Sequence, residues 1–215
     1  MEMTQKKPSK WRKVAISAAV GAVTGAGGMI LLIPLFESGP LSSTGASEQV
    51  AAAVGMIYAL IALFIGAGLA SPGIGARFLN VEDADELRDQ RRMLASAAAA
   101  MALMAGGLIV LALAGDGGIV SRPAALAVAA VVFAATIPLT VNQWRHMDEL
   151  MRNVATETGN VAYYLILLVG GGWAILAHLD FAPPPAPLDW LTMLFGLALV
   201  ATFVASGRRG MLVPR

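Results

Sequence analysis

Long apolar stretches separated by short polar ones dominate the chain. Six blocks carry no charge: Val14 to Phe36, Val50 to Ala70, Leu94 to Ala114, Pro123 to Val141, Gly159 to Ala177 and Trp190 to Ser206. Each reaches or approaches the ~20 apolar residues that a helix needs to cross a hydrocarbon core about 30 Å thick. The pattern predicts an all-α polytopic membrane protein, a bundle of six transmembrane helices forming one domain over residues 1–215. No connection is long enough to build a separate soluble domain.

Composition agrees. Apolar residues fill 57% of the 215 positions and charged ones 13%, about half the ~25% charge of a soluble domain. A basic stretch precedes the first block, as in a signal peptide. The apolar run, however, is longer than a signal h-region of 7 to 15 residues, and no clean A-x-A site follows it, so it is read as a span.

Charge supplies the orientation. Lys6, Lys7, Lys10, Arg12, Lys13, Arg77, Arg88, Arg91, Arg92, Arg145, Arg152, Arg208, Arg209 and Arg215 all fall on one side of the predicted spans, and Arg122 falls on the other. Basic residues mark the cytoplasmic side of short loops. Both termini are therefore expected in the cytoplasm, and alanine-rich spans with short loops suit a bacterial inner membrane.

The connections have readable ends. Gly21 and Gly25 in the first block form a G-x-x-x-G face suited to close helix packing or to dimerisation, and Pro34 is placed to bend or end that helix. Glu37 to Gln49 reads as an external loop, and Ser71-Pro72-Gly73 ends the second span. A cytoplasmic helix is expected next, capped by Asn80, with Glu82, Asp83, Asp85 and Glu86 early and Arg88, Arg91 and Arg92 late, opposing the helix dipole. Asp85 with Arg88 and Asp89 with Arg92 are spaced to pair. Gly115 to Gly118 is a tight turn, Ser121 and Pro123 open the fourth span, and Pro138 is expected to kink it. Asn142 to Thr158 reads as continuous helix with Arg145–Glu149 and Asp148–Arg152 pairs. Trp144 and Trp190 suit interface positions, Pro183 to Pro187 a stiff external connection, and Asp189 a cap.

Chemistry is sparse. Without cysteine, the chain has no disulfide, thiolate catalysis or iron–sulfur cluster. The spans hold no ionisable residue, which argues against ion coupling. No Walker loop, H-E-x-x-H or nucleophile elbow occurs. His146 and Glu149 have a spacing able to share a metal on one helix face, but in the order H-x-x-E rather than E-x-x-H. Catalytic residues, cofactors, metals and nucleic acid are accordingly not expected.

Two groups of residues remain as candidates. Asp85, Glu86, Arg88, Arg92, His146, Asp148, Glu149 and Arg152 form a candidate cytoplasmic interaction surface, for which a solvated, salt-bridged face is the plainer reading. Thr136, Thr140, Asn142, Glu157, Asn160 and Tyr164 form a candidate polar path near spans four and five, although tyrosines often mark the interface belt. Asp85-Glu86-Leu87 recurs as Asp148-Glu149-Leu150, 63 residues on, and Gly107 falls on Gly170. This would relate spans two and three to four and five as a parallel repeat.

The stretches Asp85-Glu86-Leu87-Arg88 and Asp148-Glu149-Leu150-Met151-Arg152, each running into a span, resemble the juxtamembrane D-E-x-x-R signature of small uncharacterised bacterial multi-span membrane proteins. The resemblance covers about a third of the chain, its first copy has the arginine one residue closer, and it implies helical hairpins without an assigned chemistry. The expected role is a non-enzymatic membrane scaffold or regulatory module acting through its cytoplasmic helices on a protein partner or a second copy of the chain, with the lipid bilayer around it. The alternative is a small-solute or lipid transporter or channel.

Overall fold

A computed structural model describes residues 30, 33, 34, 36–75, 81, 83–115 and 118–211. Their regular elements are helices: α1 Ala46–Ala70, α2 Pro72–Gly75, α3 Ala84–Asp89, α4 Arg91–Ala112, α5 Arg122–His146, α6 Glu149–His178 and α7 Pro187–Arg208. Five of them, α1, α4, α5, α6 and α7, are long and apolar enough to cross a membrane. They coincide with the second to sixth apolar blocks, extended mostly at the polar ends. The first block, 14–36, with its Gly21 and Gly25, lies outside the described residues apart from Ile30, Ile33, Pro34 and Phe36, which are helical.

Helix starts follow side-chain chemistry. The Asp83 carboxylate accepts from the backbone N–H groups of Asp85 and Glu86 at 2.9 and 2.8 Å and so caps α3. The expected cap, Asn80, lies outside the described residues. Asp148 caps α6 by accepting from Met151 N–H at 2.7 Å. Asp189 is not the cap of α7. That position belongs to Ala186, and Asp189, inside the first turn, reaches back to accept the Ala186 N–H at 2.7 Å.

Two expected continuous helices are broken. α3 stops at Asp89 and α4 restarts at Arg91, so Asp89 and Arg92 straddle the junction at Gln90. α5 ends at His146, Met147 is extended (φ −76°, ψ 137°), and α6 begins after Asp148. An aspartate that bonds the backbone ahead of it competes with the helix behind it. The pairs Arg145–Glu149 and Asp148–Arg152 therefore do not form; Asp89 and Arg92, on either side of Gln90, do not pair either, whereas Asp85–Arg88, within one helix, does. His146 and Glu149 also fall on different helices. Pro138 lies inside α5, which remains one helix through it.

The long helices pack in the order α5, α4, α1, α7, α6. The closest pair is α1 with α4, for a reason written in small side chains: Ala51, Ala52 and Ala62 of α1 and Ala97, Ala98, Ala100, Ala105 and Ala112 of α4 are buried, which lets backbones approach. Gly55 sits against Leu108 and Glu48 against Gly115, so these helices run antiparallel. α4 and α5 are antiparallel through Gly107 beside Val132 and Ser96 beside Asn142. So are α6 and α7, through Gly170 beside Met193 and Glu157 beside Arg209. α1 and α7 run parallel, joined by Ser47 to Asp189 and by the Tyr58 hydroxyl, which donates to the Phe195 carbonyl at 3.0 Å.

This register gives the bundle two chemically distinct ends. Arg88, Arg91, Arg92, Arg145, Arg152, Arg208 and Arg209 lie at one end, and among the described residues Arg122 alone is the arginine at the other. The second end is closed by a folded-back loop. Leu41 is buried there with Ala51, Ala52 and Ala112, and Phe36, Leu113 and Leu188 pack around them. The buried Thr44 hydroxyl donates to the Leu41 carbonyl at 2.9 Å. α1 starts at Ala46, so the loop read as ending at Gln49 is shorter than expected.

α5 and α6 flank the assembly and, although adjacent in sequence, have little packing on each other. Leu126, Val131, Phe133 and Ile137 of α5 and Leu167, Leu168 and Ile175 of α6 are exposed. The two hairpins of the suggested repeat therefore differ: α1 lies tightly on α4, while α5 diverges from α6.

Candidate functional site

At the arginine-rich end, Arg88 pairs with Asp85 across one helical turn of α3, and both side chains are exposed. Leu87 between them is fully buried and holds this short helix to the bundle, whereas Leu150, its counterpart in the second D-E-L stretch, is exposed. Glu86 accepts from Gln90 at 3.0 Å. Arg92, His146, Asp148, Glu149 and Arg152 are exposed.

The two connections meet at one polar relay. Asn142 Nδ2 donates to Ser96 Oγ at 2.6 Å, and that hydroxyl donates to the Arg92 carbonyl at 3.0 Å. His146 Nδ1 lies 2.8 Å from the Asn142 carbonyl. A carbonyl only accepts, which places the proton on Nδ1. Arg92 and His146 are thus tied to one local scaffold, while Asp85 and Arg88 on α3 and Asp148, Glu149 and Arg152 on α6 stand apart from it. Among the described residues, no three His, Asp or Glu side chains gather as metal ligands would.

The predicted polar path is not assembled around one space. Thr136 and Thr140 donate to the carbonyls of Val132 and Thr136, four residues back on their own helix. Asn142 is engaged with Ser96. Glu157 accepts from Arg209 Nε at 2.9 Å and lies 3.8 Å from Arg208. Asn160 and Tyr164 are exposed on α6, and Tyr164 stacks edge-on with Tyr163. The cavity that Thr136 lines, between α4, α5 and α7, holds about 60 Å³ and is otherwise walled by apolar residues and glycine, among them Met104, Leu108, Val132 and Phe195.

A larger cleft lies at the opposite end, where sequence reasoning placed no site. It holds about 470 Å³ between α1, α6 and α7, with Val50, Val54, Met193 and Leu197 on its walls and Ser47, Trp173, Asp189 and Thr192 around them. Asp189 Oδ1 accepts from Ser47 Oγ at 2.6 Å, and Oδ2 accepts from Ala186 N–H at 2.7 Å. Trp173 Nε1 donates to the Pro183 carbonyl at 3.0 Å. The sequence signal was faint: Asp189 reads as a helix-start residue, and nothing local links it to Ser47 or Trp173.

Fold and sites together define an all-α helical bundle compatible with a multi-pass membrane protein. Compared with known proteins, the chain matches no family model, no curated protein and no solved structure at a significant level.

Proposed function

We propose that the chain is an integral membrane protein of six crossings, the first over 14–36, with both termini on the cytoplasmic side of a bacterial inner membrane, and that it serves as a non-enzymatic scaffold or regulatory module through its cytoplasmic helical connections. The observation that carries the reading is the division of labour along the bundle. Side chains with charge, such as Glu149 and Arg152, are exposed at the arginine-rich end. Along the long helices, Thr136, Thr140, Thr192 and Thr202 spend their hydroxyls on their own backbones. That arrangement suits a surface that is recognised rather than an interior that reacts. A solute path through α5 and α6 has less support, because its candidate residues bond locally and the helices diverge.

The test removes charge without altering the spans. A variant with Asp85→Asn, Glu86→Gln, Asp148→Asn and Glu149→Gln is expressed at native level, and complexes are cross-linked in intact membranes. Loss of specific partners that the wild-type chain retains is expected, with unchanged thermal stability. An unchanged partner set overturns the proposal.

A further inference from the structure

The cleft between α1, α6 and α7 combines apolar walls with one carboxylate whose charge has no counterpart. Both Asp189 oxygens accept hydrogen bonds from neutral donors, Ser47 and Ala186, and none of the ion pairs among the described residues includes Asp189. The N-termini of α7 and of the parallel α1, whose Ala46 and Ser47 line the same cleft, each offset about half a unit charge, and Glu48 in the first turn of α1 adds a second carboxylate, which leaves this end net negative. The two donors also orient the carboxylate, while each oxygen keeps lone-pair capacity for a further partner.

The walls narrow the chemistry of that partner. A neutral apolar guest would strip water from the carboxylate without replacing it, which is unfavourable. A bare calcium or magnesium ion needs about six or more oxygen ligands, and one carboxylate with two committed hydroxyls cannot supply them. A cation that carries apolar groups satisfies both parts: its charge meets Asp189 and its body covers Val50, Val54, Met193 and Leu197. Trp173 has its N–H committed to Pro183, so what its indole offers the cleft is ring surface, which attracts cations. At about 470 Å³ the groove has room for a small molecule lying along it, with one side open. We propose that this cleft binds an organic cation, a substituted ammonium bearing apolar groups. The inference stands independently of the scaffold reading.

The ammonium can come from a free solute or from a lipid headgroup, and the test separates them. Benzyltrimethylammonium is titrated by calorimetry into the full-length protein in a non-ionic detergent, beside the uncharged analogue in which carbon replaces the nitrogen. Saturable binding is expected, at least about tenfold tighter for the cation. Asp189→Asn, which can still accept the Ala186 N–H, is expected to lower affinity at least about tenfold, and Asp189→Glu to restore most of it. Gly196 lines the cleft, and a Cβ there would meet nothing within 4 Å. Gly196→Leu therefore starts from an unobstructed Cβ, puts its side chain into the cleft and is expected to abolish binding at unchanged melting temperature. In phosphatidylglycerol nanodiscs, added phosphatidylethanolamine that competes with the probe identifies a lipid headgroup as occupant, and absence of competition identifies a free solute. No saturable binding, equal binding of the neutral analogue, or binding that survives in the Gly196→Leu variant overturns the proposal.

Discussion

Asn142, near the end of α5, donates its side-chain amide to the hydroxyl of Ser96, near the start of α4, at 2.6 Å. This bond fixes the register of the α4–α5 pair at the arginine-rich end, and Ser96 is buried. Asn142→Ala and Ser96→Ala are each expected to lower stability by about 1 kcal/mol. Because the two groups are direct partners, the double variant should lose less than the sum of the single losses. Unfolding in mixed micelles measures the cycle, and strict additivity would show that the bond contributes nothing.

Tyr58 joins α1 to α7 in two ways: its hydroxyl reaches the Phe195 carbonyl and its ring meets the Phe195 ring edge-on at 5.9 Å. Tyr58→Phe removes the first and keeps the second. A loss of about 1 kcal/mol is expected, against about 3 kcal/mol or more for Tyr58→Ala, which also opens a cavity. Equal melting temperatures for the two variants would contradict this.

Gly55 and Gly170 both admit a neighbouring helix, but their surroundings differ. A Cβ on Gly55 would lie 3.1 Å from the Ala105 carbonyl oxygen and equally close to Leu108 and Ile109, a wall that includes backbone. On Gly170 it would lie 2.7 Å from the terminal methyl of Met193 and 3.0 Å from the Trp190 ring, both side chains rather than backbone, the methionine being the easier to swing aside. Gly55→Ala is expected to cost about 1–3 kcal/mol, and Gly170→Ala under about 1 kcal/mol. The reverse order in thermal unfolding would refute the assigned packing.

Glu157 holds Arg209 and Arg208 at the edge of the bundle, where solvent reaches all three side chains. Glu157→Gln should therefore lower stability by no more than about 1 kcal/mol. The difference from wild type should shrink as salt rises. A salt-independent loss would mean that Glu157 acts through packing.

A chain without cysteine is ready for topology mapping. In the proposed orientation, Phe181→Cys, on the exposed turn after α6, is labelled by an impermeant maleimide in intact cells, and Asn153→Cys only after permeabilisation. The opposite pattern would reverse the proposed orientation.

The long helices were legible because length and apolarity are properties of a sequence window, and the blocks from Val50 onward fall within α1, α4, α5, α6 and α7 apart from a residue or two. The junctions were less so. Arg145–Glu149 and Asp148–Arg152 have good helical spacing, yet Asp148 has a second use for its carboxylate, and capping prevailed over pairing. The cleft was illegible for a different reason. Ser47, Trp173 and Asp189 lie on three helices distant in sequence, and only the parallel packing of α1 on α7 with α6 beside them makes them neighbours. Repetition misled in the same way: two D-E-L stretches look equivalent, but one leucine is buried and the other is exposed.

Two residues, Met147 and Asp148, are all that stand between a helix of 25 residues and one of 30. At 1.5 Å per residue those helices extend about 38 and 45 Å, while the joint spans only a few ångströms. Neither arm can slide lengthwise without dragging the other, and the angle between them is set by what each arm packs on, α5 on α4 and α6 on α7, so the short joint ties together the two outer edges of the bundle.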